Sequence, residues 1–143
     1  MPHNFVKDKA LGDEKEAESE NMLHKAGYET ERVKGKDNRY DIRILGTNKT
    51  IEVKNDLMAA KTGNLAIEIS KKSGEKSGIM ASEATYWWIH AAGEILSLDR
   101  EELKDYCGEA QHRVIWGGDN WATQIVLIPI DEIKQLSSYR KLK

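Results

Sequence analysis

Two short runs of sequence give the clearest indication of the fold: YDIRIL at positions 40–45 and KTIEVKN at positions 49–55. In both runs apolar residues alternate with charged ones, which is the period of a β-strand with one buried face. The polar residues between the runs predict a turn. The sequence therefore predicts two antiparallel strands whose charged side chains Asp41, Glu52 and Lys54 share one face.

The elements around this pair follow from the same kind of pattern. After a flexible arm over residues 1–12, a helix is predicted from an N-cap at Asp13, with Glu16 as its capping-box partner, to about Ala26. Further strands are predicted at 28–33, 64–70, 86–91, 94–98 and 125–130, a turn at 35–38, and short helices at 99–106 and from 131 onward. This order predicts a single mixed α/β (α+β) domain over residues 13–143, in which an N-terminal helix precedes a mixed central β-sheet flanked by helices.

The composition is that of one folded domain. The 143 residues are 39% hydrophobic and 32% charged, and a chain of this length can bury a core without a disulfide or a metal. The single cysteine, Cys107, excludes a disulfide framework and a multi-cysteine zinc site, and it indicates a reducing compartment. No apolar run approaches the roughly 20 residues that span a bilayer, and the charged start has no signal-peptide core. We therefore expect a cytoplasmic protein with no membrane partner.

The charged face of the strand pair carries residues suited to catalysis. Glu52 and Lys54 are neighbours because they are two residues apart on one strand, and the short turn brings Asp41 beside them. The two carboxylates and the carbonyl of Val53 offer the hard oxygen ligands that Mg²⁺ or Mn²⁺ prefers. An ammonium group next to them can stabilise charge that grows on a phosphodiester. The alternative is a solvated sheet face whose cross-strand ion pairs contribute about 0–1 kcal/mol each.

These residues resemble the catalytic core of the PD-(D/E)XK nuclease superfamily, which has the restriction-endonuclease-like fold. In that family an acidic residue on one strand and an E-x-K on the next follow a helix that carries a further acidic residue. Asp41, Glu52 and Lys54 match that pattern, although Tyr40 stands where the family has a proline. The resemblance covers residues 13–56.

A weaker resemblance continues through GNLAIEISKKSGEKSGIMASEATYWWIH at positions 63–90, which looks like small nuclease-like proteins of phage and prokaryotes. The resemblance implies a Mg²⁺- or Mn²⁺-dependent endonuclease that hydrolyses DNA. It implies that Asp41 and Glu52 bind the metal, and that Lys54 positions or deprotonates the attacking water.

Three further glutamates are candidates for the acidic pocket. Glu16 and Glu20 share one helical face, and the placing of Glu16 resembles that of the helix glutamate in Holliday-junction resolvases of this superfamily. Either could bind a metal; the alternatives are a capping role for Glu16 and a solvated position for Glu20. Glu68, on the next predicted strand, could support a second metal or orient Lys54; the alternative is an ion pair with Lys71 or Lys72.

A basic loop is the candidate nucleic-acid contact. The net charge of −2 argues against a broad nucleic-acid surface, but the acidic excess lies in residues 79–133, which hold ten acidic and three basic side chains. The loop places Ser77 next to three lysines and is suited to phosphate contact, or else it is a solvated loop. The lysines are Lys71, Lys72 and Lys76.

The expected partner is DNA, with RNA left open. A homodimer is expected as well, because one copy of this length can hardly surround a duplex and cut both strands. The second hypothesis is a catalytically silent nuclease-fold protein that binds nucleic acid or a protein partner. A third is an interaction domain whose strand charges form salt bridges only.

Overall fold

The computed structural model describes residues 5–33 and 40–143, apart from the side chains of residues 5–8 and of residue 119. The helices are α1 (Phe5–Lys25), α2 (Ala59–Thr62), α3 (Arg100–Cys107) and α4 (Ile130–Ile133), with short 3₁₀ segments at Gly78–Met80 and Asp119–Trp121. The strands are β1 (Thr30–Arg32), β2 (Ile42–Ile44), β3 (Thr50–Asp56), β4 (Asn64–Lys71), β5 (Tyr86–Ala91), β6 (Glu94–Asp99), β7 (Arg113–Gly117), β8 (Thr123–Pro129) and β9 (Arg140–Lys141). The predicted mixed α/β class is found, and the turn predicted at 35–38 lies outside the described residues.

Two sheets organise the chain. The larger has the order β1-β2-β3-β5-β6-β9, and the smaller has the order β4-β8-β7. Within the larger sheet, β1, β2 and β3 form an antiparallel meander, whereas β3 and β5 run parallel. The larger sheet is therefore mixed. After β3 the chain crosses to the smaller sheet as β4, and it returns to the larger sheet as β5.

The larger sheet is covered on both faces. One face packs against α1 through a cluster that includes Leu23, Ile51 and Trp88. The other face packs against the smaller sheet and α3, through a cluster that includes Trp87 and Leu103. The neighbouring residues Trp87 and Trp88 point to opposite faces of β5, as strand alternation requires, and both are buried.

The start of the first helix differs from the sequence prediction. The helix begins at Phe5 and runs through Gly12, so residues 5–12 are helical and Asp13 is an interior residue rather than an N-cap. One glycine costs a helix only about 1 kcal/mol, and the ion pair between Lys9 and Asp13, one turn apart, supports this stretch. The proposed capping role of Glu16 is therefore wrong.

The other elements follow the predictions with shifted ends. The 86–91 and 94–98 segments form the predicted hairpin, and α3 begins directly after Asp99. The sequence reading missed β7, β9 and α2, which are short or largely exposed. Within residues 5–33 and 40–143, no helix combines the length and the apolar character needed to cross a bilayer.

Candidate active site

Unequal strand lengths create the site at one edge of the larger sheet. Ile42 and Arg43 pair with Ile51 and Thr50, so β2 covers only the first part of β3. Beyond this pairing, the backbone N–H of Val53 donates a hydrogen bond of 2.7 Å to Oδ2 of Asp41. The carboxylate of Asp41 therefore satisfies a backbone donor that β2 is too short to reach.

Glu52 and Lys54 come from the overhanging part of β3. In the parallel register they lie opposite Trp87 and Ile89, and so they face the space between the two sheets. Nζ of Lys54 lies 3.6 Å from Oε1 of Glu52 and 5.3 Å from the centre of the Trp87 ring. The side chain of Glu52 is only 17% exposed, whereas that of Lys54 is 46% exposed. A half-exposed ammonium therefore stands beside a nearly buried carboxyl group.

Helix α1 contributes the third carboxyl group, Glu16. Its side chain is hydrogen-bonded to the carboxyl of Asp41, which is also hydrogen-bonded to the carboxyl of Glu52. Nη1 of Arg32 on β1 lies 3.3 Å from Oε2 of Glu16. Asp41 is therefore the residue that links the helix carboxyl to the strand carboxyl.

Glu20 has a different environment from Glu16, although both lie on one face of α1. Its carboxylate accepts hydrogen bonds of 2.7 Å from Oγ1 of Thr30 and 2.5 Å from Nε of Arg32. Burial favours a higher pKa for Glu20, but these two hydrogen bonds outweigh it and lower the pKa. Glu20 therefore anchors the guanidinium that contacts Glu16, and it is Glu16 that contacts Asp41.

Burial, and secondly the neighbouring carboxyl of Asp41, raises the pKa values of Glu16 and Glu52. Burial is the largest cause at Glu52, and the hydrogen bond and negative charge of Asp41 add to it, so the pKa rises from its ordinary 4.5 to about 8 despite the nearby Lys54. At Glu16, burial and the charge of Asp41 raise the pKa to about 7, against the opposing charge of Arg32. Near neutral pH the cluster therefore holds protons that ordinary carboxyl groups would have released.

The donor chemistry of this cluster fits a hard divalent cation. All its side-chain donors are carboxyl oxygens, and the carbonyl of Val53 faces the same edge of β3 as its N–H group. No group of three or more His, Cys, Asp or Glu side chains among the described residues is already arranged to hold a metal ion. The carboxyl groups are instead hydrogen-bonded to one another in pairs. Cation binding would therefore favour release of the protons that Glu16 and Glu52 keep because their pKa values are raised.

Glu68 shares a cavity with Lys54. It belongs to β4 of the smaller sheet, and it lines a cavity of about 560 Å³ together with Lys54 and Trp87. Gly78 lies against it: a Cβ at this position, where φ is +55°, would stand 2.1 Å from the carbonyl oxygen of Glu68. The structure therefore brings Glu68 to the same cavity as the lysine, from the opposite sheet.

The basic loop forms a tight turn after β4. Lys71, Lys72 and Lys76 are exposed, and the turn is closed by a hydrogen bond of 2.9 Å from the N–H of Lys71 to the carbonyl of Glu75. Ser77 differs from these lysines because it is only 6% exposed, and its hydroxyl has no hydrogen-bond partner among the described residues. The lysines are exposed, as the predicted phosphate contact requires, whereas the burial of Ser77 removes the surface contact expected of it.

Sequence reasoning missed two features of the site. It did not assign Arg32, whose guanidinium organises both helix glutamates, because a strand residue 12 positions beyond Glu20 carries no local signal of that contact. It also missed the cavity, since strands β4 and β8 of one sheet and β3 and β5 of the other build its walls.

Compared with protein-family models, with curated proteins and with solved structures, the chain gives no match in any of the three.

Proposed function

We propose that the protein is a divalent-metal-dependent nuclease that hydrolyses phosphodiester bonds in DNA, with a restriction-endonuclease-like PD-(D/E)XK core. The observation that carries the proposal is the contact of Asp41 with two other carboxyl groups, Glu16 and Glu52, beside a half-exposed lysine. A face that served only for ion pairing would place acids against bases. Acids placed against one another fit a site for a cation instead.

The cation would be held by oxygen atoms from three elements. Asp41 and Glu52 provide strand carboxylates, Glu16 provides a helix carboxylate, and Val53 provides a carbonyl. A bound Mg²⁺ or Mn²⁺ would neutralise charge on the phosphate and make the phosphorus more open to attack by water. Because Glu16 and Glu52 hold protons near neutral pH, cation binding should release protons to the solvent.

Lys54 supplies positive charge next to Glu52, whereas the guanidinium of Arg32 contacts Glu16. Its ammonium lies at the solvent-exposed side of Glu52, so it can donate a hydrogen bond to a phosphate oxygen and orient the attacking water. Hydrolysis adds the hydroxyl of water to phosphorus, breaks one P–O ester bond and transfers the remaining proton to the leaving oxygen. The products are one phosphate end and one hydroxyl end.

The direct test is cleavage of single-stranded, duplex and branched DNA by the purified protein with Mg²⁺ or Mn²⁺. We expect cleavage that EDTA abolishes and that Asp41→Asn and Lys54→Ala each reduce by about 100-fold or more. The matched control is Lys49→Ala, because the ammonium of Lys49 lies 5.4 Å from the centre of the Tyr86 ring, outside the carboxyl cluster. This variant should cleave at the wild-type rate.

Two results would contradict the proposal. Absence of cleavage with every substrate and both metals would contradict the proposed nuclease activity. If DNA were bound but not cleaved, the catalytically silent nuclease-fold protein would be favoured. Equal cleavage by wild type and Lys54→Ala would assign the activity to a contaminant or to other residues.

A further inference from the structure

The cavity next to Lys54 has the size and the walls of a ligand site. Its volume of about 560 Å³ falls within the range of small-molecule pockets, roughly 300–1,000 Å³. It lies between the two sheets, and Lys54 belongs both to its wall and to the carboxyl cluster. The other lining residues are mainly apolar, and include Leu65, Ile67, Trp87, Ile89 and Ile125. The cavity is therefore a continuation of the candidate active site.

The mouth of the cavity is also apolar. Leu57 and Met58, in the turn that follows β3, are 63% and 55% exposed and line the cavity. Asp56 fixes this turn, because its carboxylate accepts hydrogen bonds from the backbone N–H groups of Met58 at 3.2 Å and Ala66 at 2.9 Å. A turn that is fixed by hydrogen bonds and exposes two large apolar side chains beside a cavity is typical of a surface that a ligand covers.

The charges around the cavity select the part of a nucleotide that can enter. Two carboxyl groups, Asp56 and Glu68, line it, so a phosphate inside would meet negative charge. Lys54 is its only lining residue with a cationic side chain among those described, and it stands on the side of Glu52. The phosphate is therefore favoured at Lys54, and an uncharged flat ring is favoured within the cavity. The amide of Asn55 and the carboxylate of Glu68 could accept hydrogen bonds from the N–H groups of such a ring.

We propose that this cavity accepts one unstacked nucleobase of the DNA strand, adjacent to the phosphate that is cut; the proposal rests on the proposed nuclease function. A base inside a continuous duplex is paired and stacked, and removing it from the stack costs energy. The preferred substrate is therefore DNA with an unpaired nucleotide at the cleaved position, as in a single strand.

Ala66 offers a way to block the cavity without cutting into the core. It belongs to the cavity wall and is itself exposed, so Ala66→Phe adds bulk at that wall without displacing buried side chains. Ala60→Phe is the matched control, since Ala60 is also exposed but lines a different surface pocket. Leu57→Ser is a second variant, which removes an exposed apolar side chain from the mouth.

The experiment measures binding and cleavage separately. Binding of a single-stranded oligonucleotide with one 2-aminopurine is followed by its fluorescence in Ca²⁺, and cleavage of matched single-stranded and duplex DNA is followed in Mn²⁺. We expect a fluorescence change at one nucleotide position and a preference for the single strand. We also expect Ala66→Phe and Leu57→Ser to weaken single-strand binding about tenfold, with wild-type affinity for Ala60→Phe.

Failure of this proposal can be told apart from failure of the nuclease. Equal cleavage of both substrates, together with unchanged binding by Ala66→Phe and Leu57→Ser, would overturn the base-binding cavity and leave the nuclease in place. A fluorescence change that Ala66→Phe abolishes, without any cleavage, would support the cavity and overturn hydrolysis. Absence of binding to any DNA would overturn both.

Discussion

Replacing Glu52 by glutamine should stabilise the metal-free protein at alkaline pH. The folded state raises the pKa of Glu52 from 4.5 to about 8, so between these values the unfolded chain releases a proton that the folded protein keeps. The contribution of Glu52 to the free energy of unfolding is therefore complete below about pH 4.5 and is lost as the pH rises to about 8. At about 1.4 kcal/mol for each tenfold change in proton affinity, the loss is on the order of 5 kcal/mol.

Glutamine retains the shape and the hydrogen-bond donor of the protonated glutamic acid but cannot ionise. Glu52→Gln should therefore match the wild type at pH 4.5 and exceed its free energy of unfolding increasingly toward pH 8.5, by up to a few kcal/mol. The assay is urea unfolding in EDTA across this pH range, followed by tryptophan fluorescence. Titration of groups outside the carboxyl cluster is common to both proteins and cancels in the difference. One such group is the buried His90, whose pKa is lowered first of all by burial.

The control for this experiment is Glu31→Gln on the same sheet. Glu31 is exposed and forms an ion pair of 3.1 Å with Arg43, a type of contact that contributes about 0–1 kcal/mol. Its effect should therefore be small and nearly independent of pH. Parallel stability curves for wild type and Glu52→Gln would refute the buried, protonated carboxyl cluster on which the site depends.

Two further predictions concern the surroundings of the site. Gly78→Ala should lower the free energy of unfolding, measured by thermal unfolding, by several kcal/mol, since its Cβ would lie 2.1 Å from the β4 backbone. The control Gly74→Ala, at φ +92° with open space around it, should lower the free energy of unfolding by only about 1 kcal/mol. Equal losses of unfolding free energy in the two variants would contradict the close packing of Gly78 against β4 beside the cavity. Replacing Lys72 and Lys76 together by alanine should weaken single-stranded DNA binding and make the slope of log affinity against log salt concentration shallower by about 1.4. The control Lys104→Ala, on α3, should change neither the affinity nor the slope. An unchanged slope in the double variant would show that these two lysines do not contact DNA.

The strand face of the site could be predicted from the sequence because it depends on local rules. Alternation along 49–55 fixes Glu52 and Lys54 on one face, and the short turn before this run brings Asp41 alongside. These placements need only the period of a strand and the reach of a hairpin.

The helix contribution could not be settled in the same way. Glu16 and Glu20 lie on one helical face, and their different roles depend on where β1 places Arg32 across from α1. The predicted start of α1 was wrong for a related reason. Gly12 and Asp13 together are typical of a helix N-terminus, but the helix continues through them. Tertiary contacts decided both outcomes.

The cavity was beyond sequence reasoning because its walls belong to distant segments. β4 leaves the larger sheet, pairs with β8 and then faces β5 across the interior, a path that periodicity within each strand does not encode. Glu68 could be assigned to a strand face from its neighbours, but not to the sheet opposite Lys54.

The metal site is tested most directly by calorimetric titration of the protein with Mn²⁺ at pH 7 in two buffers that differ in ionisation enthalpy. Because Glu16 and Glu52 have pKa values of about 7 and 8 in the metal-free protein, we predict saturable binding that releases about one to two protons for each cation. Asp41→Asn should abolish this binding. Absence of binding, or binding that releases no proton and survives Asp41→Asn, would contradict the assignment of this carboxyl cluster as a metal site.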